Sequence, residues 1–376
     1  MAFSPTYPPI YLDYAATTPP AAEVIEAVTE SMRSHTANPS AAYSAAGDAR
    51  KAMRLARETL AGMIGCDRNE LFFTSGGTEA NNWVFQGLSK QHVIISAMEH
   101  SSVLEAAANQ NCTITLVQPD QNGVIQTETV ESAIRPDTAL VSIQYVNNET
   151  GVIQPVSQIG SLLRKRRILF HCDAVQAVGH IPVNVKNCCV DLLSASAHKL
   201  YGPRGIGFLY IRSGVSLPTL IAGGGQENHR RSGTENVPAI EGFRVAAQLA
   251  MNDLSERAKR EKALLDQLFS LLKEQIPKAR LLGENAERVP GVCAVLLPGL
   301  PSETAIARLD MAGIMVSGGA ACASSAGKPS HVYSAMGLSD QEASCVLRFS
   351  VGRHTSTEDI QIAAATLSRI YQEYAK

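Results

Sequence analysis

Seven short, largely unbroken apolar runs in the first two-thirds of the chain constrain its fold more than any other feature. They are ELFFTS (70–75), HVIISA (92–97), CTITLV (112–117), TALVSIQYV (138–146), RILFHC (167–172), VDLLSAS (190–196) and IGFLYI (206–211). Runs of this kind are expected to be buried on both faces, as strands of a mostly parallel sheet covered by helices are. Helical patterns lie between them, at 51–63, 79–89 and 156–166. The alternation predicts an α/β fold with an open, mostly parallel central sheet. Ligands of such sheets sit beyond the carboxyl ends of the strands, so residues just after each strand carry the most weight.

Around residue 253 the texture changes. LSERAKREKALLDQLFSLLKEQI reads as a long charged amphipathic helix, followed by GVCAVLL, a helix from about 303, IMVSGGA, CVLRFSVG and a last helix from about 357. We expect a large domain at 15–252 and a smaller α/β domain at 253–376, joined by the N-terminal segment 1–14.

With 376 residues the chain has room for both. Its net charge of −2 supplies no global field toward nucleic acid or an anionic membrane, and no basic and aromatic residues interleave. No basic-then-apolar leader opens it, and no apolar run reaches the roughly 18 residues of a membrane span. The eight cysteines form no C-x-x-C pair, which fits reduced cytoplasmic thiols.

Three strand ends bring chemistry to one edge. In FFTSGGTEANN (72–82) a strand runs into Ser75-Gly76-Gly77, and Thr78-Glu79 opens a helix. A glycine turn before a helix N-terminus can cradle a phosphate, although a plain capped strand–turn–helix has the same pattern. In ILFHCDAVQAVG (168–179) Asp173 follows an apolar strand and needs either a cationic partner or a helix to cap; Gln176 lies three residues on. In DLLSASAHKLYGPRGIG (191–207) Ser196, His198 and Lys199 follow a strand. A partly desolvated lysine there has a lowered pKa and can form a Schiff base; a surface lysine at a turn is the alternative. Phosphate cradle, carboxylate and lysine together meet the needs of pyridoxal phosphate. His100, after HVIISAMEH, is placed to stack on its ring.

Nearly end to end, the chain resembles the NifS/IscS-type cysteine desulfurases, class V of the fold-type I pyridoxal-phosphate enzymes. The matching motifs include YLDYAATTP (11–19), ANPS (37–40), FTSGGTEANN (73–82), MEH (98–100), VNNETG (146–151), HCDAVQ (171–176), SAHKLYGPRGIG (196–207), RSGTENV (231–237), ACASS (321–325) and LRFSVGR (347–353). The resemblance implies that Lys199 forms the Schiff base and shuttles the proton, and that Asp173 pairs with the pyridinium nitrogen. It implies that Gln176 bonds the phenolic oxygen with Asn148 nearby, and that His100 stacks on the ring and assists proton transfer. Gly77, Thr78, Ser196 and His198 would hold the phosphate, and Thr234 would reach it from the second subunit of a homodimer. Arg348 would bind the substrate carboxylate beside Asn38. Small neighbours differ from common family patterns: SGGTE for SGATE, SAHK for SGHK, and SGGAACAS for SSGSACTS.

The implied reaction converts L-cysteine to L-alanine, leaving sulfur on Cys322 as a persulfide for a sulfur-acceptor protein of iron–sulfur assembly or another sulfur-requiring pathway. A thiolate is the competent nucleophile for such a transfer. A selenocysteine lyase or an aminotransferase would keep the fold and change the reaction; Cys322→Ser separates the aminotransferase, which needs no thiol. A catalytically silent scaffold would keep the fold alone. The soft run SGGAACASSAGKPS (317–330) predicts a mobile loop around residues 320–330 that carries Cys322 to and from the pocket.

Overall fold

A computed structural model of the protein describes residues 9–88, 90–319 and 329–374. Cys322 and most of the predicted mobile loop fall outside the described residues.

All seven apolar runs form strands, and all seven join one sheet. After β1 (Ile10–Tyr11) come β2 (Leu71–Thr74), β3 (His92–Ser96), β4 (Thr113–Val117), β5 (Thr138–Ser142), β6 (Leu169–Asp173), β7 (Leu192–Ser196) and β8 (Gly207–Ile211). The sheet order is β2-β8-β7-β6-β5-β3-β4. Its β4-β3-β5-β6-β7 stretch is parallel; β8 runs antiparallel to both β7 and β2. Burial on both faces holds for the inner strands but not for β4, where Thr113 is exposed and Leu116 is 48% exposed. As an edge strand β4 has a neighbour on one side only.

Four short strands complete the fold: β9 (Arg280–Leu281), β10 (Val292–Leu296), β11 (Ile314–Met315) and β12 (Val346–Ser350). A three-stranded sheet has the order β12-β10-β9, while β1 pairs with β11. The apolar core beside this sheet gathers Ile10 and Leu12 from the start of the chain with Leu347, Phe349 and Leu367 from its end.

Helix Val237–Gln275, 39 residues long, touches both regions, packing on helices Ala22–Ser34 and Ala46–Ile64 and also on Thr357–Tyr374. It runs unbroken through residue 253, where sequence texture alone suggests a beginning. Its true start is marked by Asn236, whose side chain accepts a hydrogen bond from the Ala239 N–H at 3.2 Å, and by Pro238 in the first turn, where a missing N–H does no harm.

The helix that opens on the glycine turn, Gly77–Phe85, is fixed by its apolar face. Ala80, Trp83, Val84 and Phe85 are buried, and Trp83 Nε1 donates to the Pro218 carbonyl at 2.8 Å. Burying each large side chain contributes about 2–3 kcal/mol, which holds the helix N-terminus at the sheet edge.

Candidate active site

A cavity of about 250 Å³ opens at the carboxyl ends of the parallel strands. Ten of the thirteen residues singled out from sequence line it: Gly77, Thr78, His100, Asn148, Asp173, Gln176, Ser196, His198, Lys199 and Arg348. Asn38 and Thr234 do not. Both are exposed in the single chain, and Asn38 Oδ1 accepts from the Ser40 N–H at 2.9 Å. Cys322 is outside the described residues.

Two polar groups of this edge are held by several bonds each. Asp173, the last residue of β6, is 7% exposed; Oδ1 accepts from the Val175 N–H at 3.0 Å and Oδ2 from the Asn81 amide at 2.7 Å. Lys199 is half-buried just past β7, and its Nζ donates to the carbonyls of Ala15 (2.6 Å) and Ala16 (2.8 Å). Gln176 Nε2 donates to the same Ala15 carbonyl at 2.9 Å.

At the other end, the turn brings its backbone close to β7 and to the segment after β6. A Cβ on Gly77 would lie 2.7 Å from Val175 Cγ2, so any larger residue here requires Val175 to shift. The helix N-terminus, Ser196 and His198 then face one small volume. Burial, with Lys199 and Arg204 nearby, pushes His198 down to about 4, so at neutral pH it offers one ring N–H. Glu79 ties the first turn to Arg231 by two bonds (2.7 and 3.1 Å), which anchors the segment bearing Thr234.

Arg348 arrives from the other sheet. On β12 and only 1% exposed, it donates from Nη1 to the Asn148 carbonyl (2.9 Å) and from Nη2 to Asp13 (2.7 Å). Its Nε is buried and has no partner among the described residues. Two buried carboxyls flank the cavity. Burial raises Glu99 well above the usual carboxylate range, reinforced by Asp173; burial also raises Glu149, against the pull of Ser330 and Arg348.

Sequence reasoning missed Asn81, Ser102 and Asp13. Asn81 had a signal: it lies one helical turn after Gly77 and therefore on the same face. Asp13 had none, because its partner is 335 residues away.

Comparison with known proteins decides what kind of site this is. Residues 10–362 match the aminotransferase class-V family. The chain belongs to that family. Its members of this type depend on pyridoxal phosphate. The chain is similar to cysteine desulfurase IscS of Methanosarcina thermophila, at 40% identity over 97% of this chain and 92% of the relative. It is also similar to cysteine desulfurase IscS of Clostridium botulinum, at 38% identity over 97% and 94% of the two chains. A solved structure of a NifS-like protein superposes with a TM-score of 0.90 at 34% identity, covering 97% of this chain and all of the other.

The residues present fit the family's cofactor. The helix start at Gly77 and Thr78 lines the cavity together with Ser196 and His198 and offers N–H donors to a phosphate, Asp173 is a buried carboxylate at the right strand end, and Lys199 supplies an amine.

Proposed function

We propose that the protein is a pyridoxal-phosphate-dependent cysteine desulfurase that takes sulfur from L-cysteine onto Cys322 and leaves L-alanine. The observation that carries this reading is the convergence of Lys199, Asp173, Gln176, the Gly77–Thr78 turn and Arg348 on one cavity of a class-V chain. Selenocysteine lyase and aminotransferase readings would use the same cavity; the similarity to cysteine desulfurases at 38–40% identity over nearly the whole chain favours the desulfurase.

Pyridoxal phosphate, when bound, supplies an electron-withdrawing ring that takes up charge from the substrate Cα. The backbone N–H groups of Gly77 and Thr78, with Ser196 and His198, would hold its phosphate; Asp173 would hold its ring nitrogen protonated; Gln176 and Asn148 would bond its oxygen side. Arg348 would fix the substrate carboxylate by a charge-assisted hydrogen bond, its Nε being the atom without a partner among the described residues. The Lys199 amine removes the Cα proton, and its exchange between the Ala15 and Ala16 carbonyls and the substrate is the proton-bearing motion. The Cys322 thiolate then attacks the substrate sulfur: the Cβ–S bond breaks, an S–S bond forms, and the electron pair and a proton remain with the carbon product, released as alanine.

The active unit is a homodimer in this reading, with Thr234 reaching the phosphate from the second subunit and Asn38 lying beside Arg348 on the substrate side; the exposure of Thr234 in a single chain supports it. A division into 15–252 and 253–376 with 1–14 draws support from the core that unites Ile10 and Leu12 with Leu347 and Phe349, while helix Val237–Gln275 spans the boundary and Val292, Ala294 and Val346 pack in the larger core. No helix among the described residues is long and apolar enough to cross a membrane. We place the protein in the cytoplasm, acting with a sulfur-acceptor protein and without nucleic acid.

Mass spectrometry after mixing with L-cysteine tests the central claim. A one-sulfur mass increase localised to Cys322 is expected; alanine release with Cys322 unmodified overturns it.

A further inference from the structure

Asn81 and Ser102, to which the reading above gives no part, form a continuous hydrogen-bonded bridge between Asp173 and His100. Asn81 Nδ2 donates to Asp173 Oδ2 (2.7 Å) and to Ser102 Oγ (2.9 Å). The orientation of the amide is set by chemistry. Turned the other way, its oxygen would face a carboxylate, which can only accept. Asn81 Oδ1 accordingly lies on the opposite side, buried and without a partner among the described residues.

Ser102 Oγ therefore spends an acceptor position on Asn81 and keeps its proton free to donate. Its neighbour is His100 Nδ1, 2.8 Å away. The Ser102 backbone N–H donates to the same nitrogen at 3.1 Å, because His100 caps helix Ser101–Ala108 with its ring. Two donors converge on Nδ1, so a neutral ring must carry its proton on Nε2. That nitrogen has no hydrogen-bond partner among the described residues and is left for whatever the cavity holds.

We infer that Asn81 and Ser102 are positioning residues that fix the His100 proton on Nε2, so that the ring meets its ligand as a hydrogen-bond donor and not as a base. Proton abstraction is thereby left to Lys199. The charged and titratable groups facing His100 are Asp173, Lys199 and His331, from three different elements. Burial holds the ring below the usual histidine range, with Lys199 and His331 acting in the same sense and Asp173 opposing, so the neutral form prevails at neutral pH. The catalytic use of this donor rests on the desulfurase reading; the proton position does not.

The test is ¹⁵N NMR of protein labelled at histidine and carrying pyridoxal phosphate, with the His100 resonances assigned by their loss in His100→Gln. A protonated Nε2 and an acceptor-shifted Nδ1 are expected in the unaltered protein. Ser102→Ala and Asn81→Ala should each reduce the acceptor shift at Nδ1 toward what the remaining Ser102 backbone N–H alone supplies, and slow alanine formation about tenfold with cofactor retention unchanged, a fraction of what a positioned acid supplies. Ser102→Thr, which keeps the hydroxyl, should restore both readouts. A proton on Nδ1 in the unaltered protein overturns the inference, whether or not either variant folds. Nδ1 resonances unmoved in both alanine variants overturn the roles of Asn81 and Ser102. Absence of alanine formation by the unaltered protein would sink the desulfurase reading and leave the proton position standing.

Discussion

Lys199 and Arg348 are two cations brought to one cavity by different sheets, and their surroundings differ. Lys199 rests at a strand end of the seven-stranded sheet, its amine held by two carbonyls that it can exchange for another partner. Arg348 comes from the three-stranded sheet, lies deeper, and keeps its buried Nε without a partner among the described residues while both Nη atoms are bonded. In the proposed reading the group that moves is the one bonded to two carbonyls, and the group that stays is the one pinned by a carboxylate and a carbonyl.

Replacing the movable cation should have the largest effect. Lys199→Ala should abolish the visible absorbance of covalently held pyridoxal phosphate and slow alanine formation by about ten-thousand-fold, the upper range for loss of a positioned base. A yellow, active Lys199→Ala protein would end the contrast between the two cations.

The pinned cation should show itself in binding. Arg348→Ala should lower kcat/KM for L-cysteine on the order of 100-fold, mainly through KM, as expected for losing a charge-assisted bond of about 2–3 kcal/mol. Steady-state kinetics decides; a fall in kcat with KM unchanged would assign Arg348 to the moving side of the chemistry.

Next in size is the cradle opposite Lys199. Gly77→Ala should weaken pyridoxal phosphate binding about tenfold, because overpacking of this kind costs about 1–3 kcal/mol. Adding Val175→Ala should restore much of it, since Val175 Cγ2 is the atom in the way. Equilibrium titration of the cofactor reads both.

The smallest effect lies where the long helix joins the regions. Glu261 is 4% exposed, and burial pushes it up to about 7 against Arg257 and Arg260. The folded protein keeps a proton there that the unfolded chain releases near 4.5. That stability is therefore complete below 4.5 and lost as pH rises through about 7. Thermal melts should show Glu261→Gln flattening this limb; an unchanged pH dependence would remove Glu261 from the account.

The two sides also differ in how far the sequence discloses them. Asp173, Ser196, His198 and Lys199 follow apolar runs directly, so the strand-end rule alone finds them. Arg348 sits inside its strand, where only resemblance distinguishes it from any other arginine. Asn81 and Ser102 act through side chains that meet only when two helices have docked, and Asp13 acts across almost the whole chain. Local pattern encodes where a strand ends; it does not encode which distant polar groups will share a proton. The long helix was legible where its charges repeat and not at its start, because the buried stripe of Val237–Ala250 is built largely of small residues, Ala239, Gly242, Ala246, Ala247 and Ala250, and few charges mark the opposite face.

Residues 13–16 touch both sides. Asp13 holds Arg348, the Ala15 N–H donates to Ser350 Oγ at 2.8 Å, and the Ala15 and Ala16 carbonyls hold Lys199. This stretch leaves the ribosome well before β12, since Asp13 and Arg348 are 335 residues apart. The seven-stranded sheet can be complete long before translation ends, with its lysine waiting for its neighbours. Only when β12 emerges can Asp13 meet Arg348 and the cavity close, so a product ending before β12 would carry the strands of the seven-stranded sheet and lack Arg348.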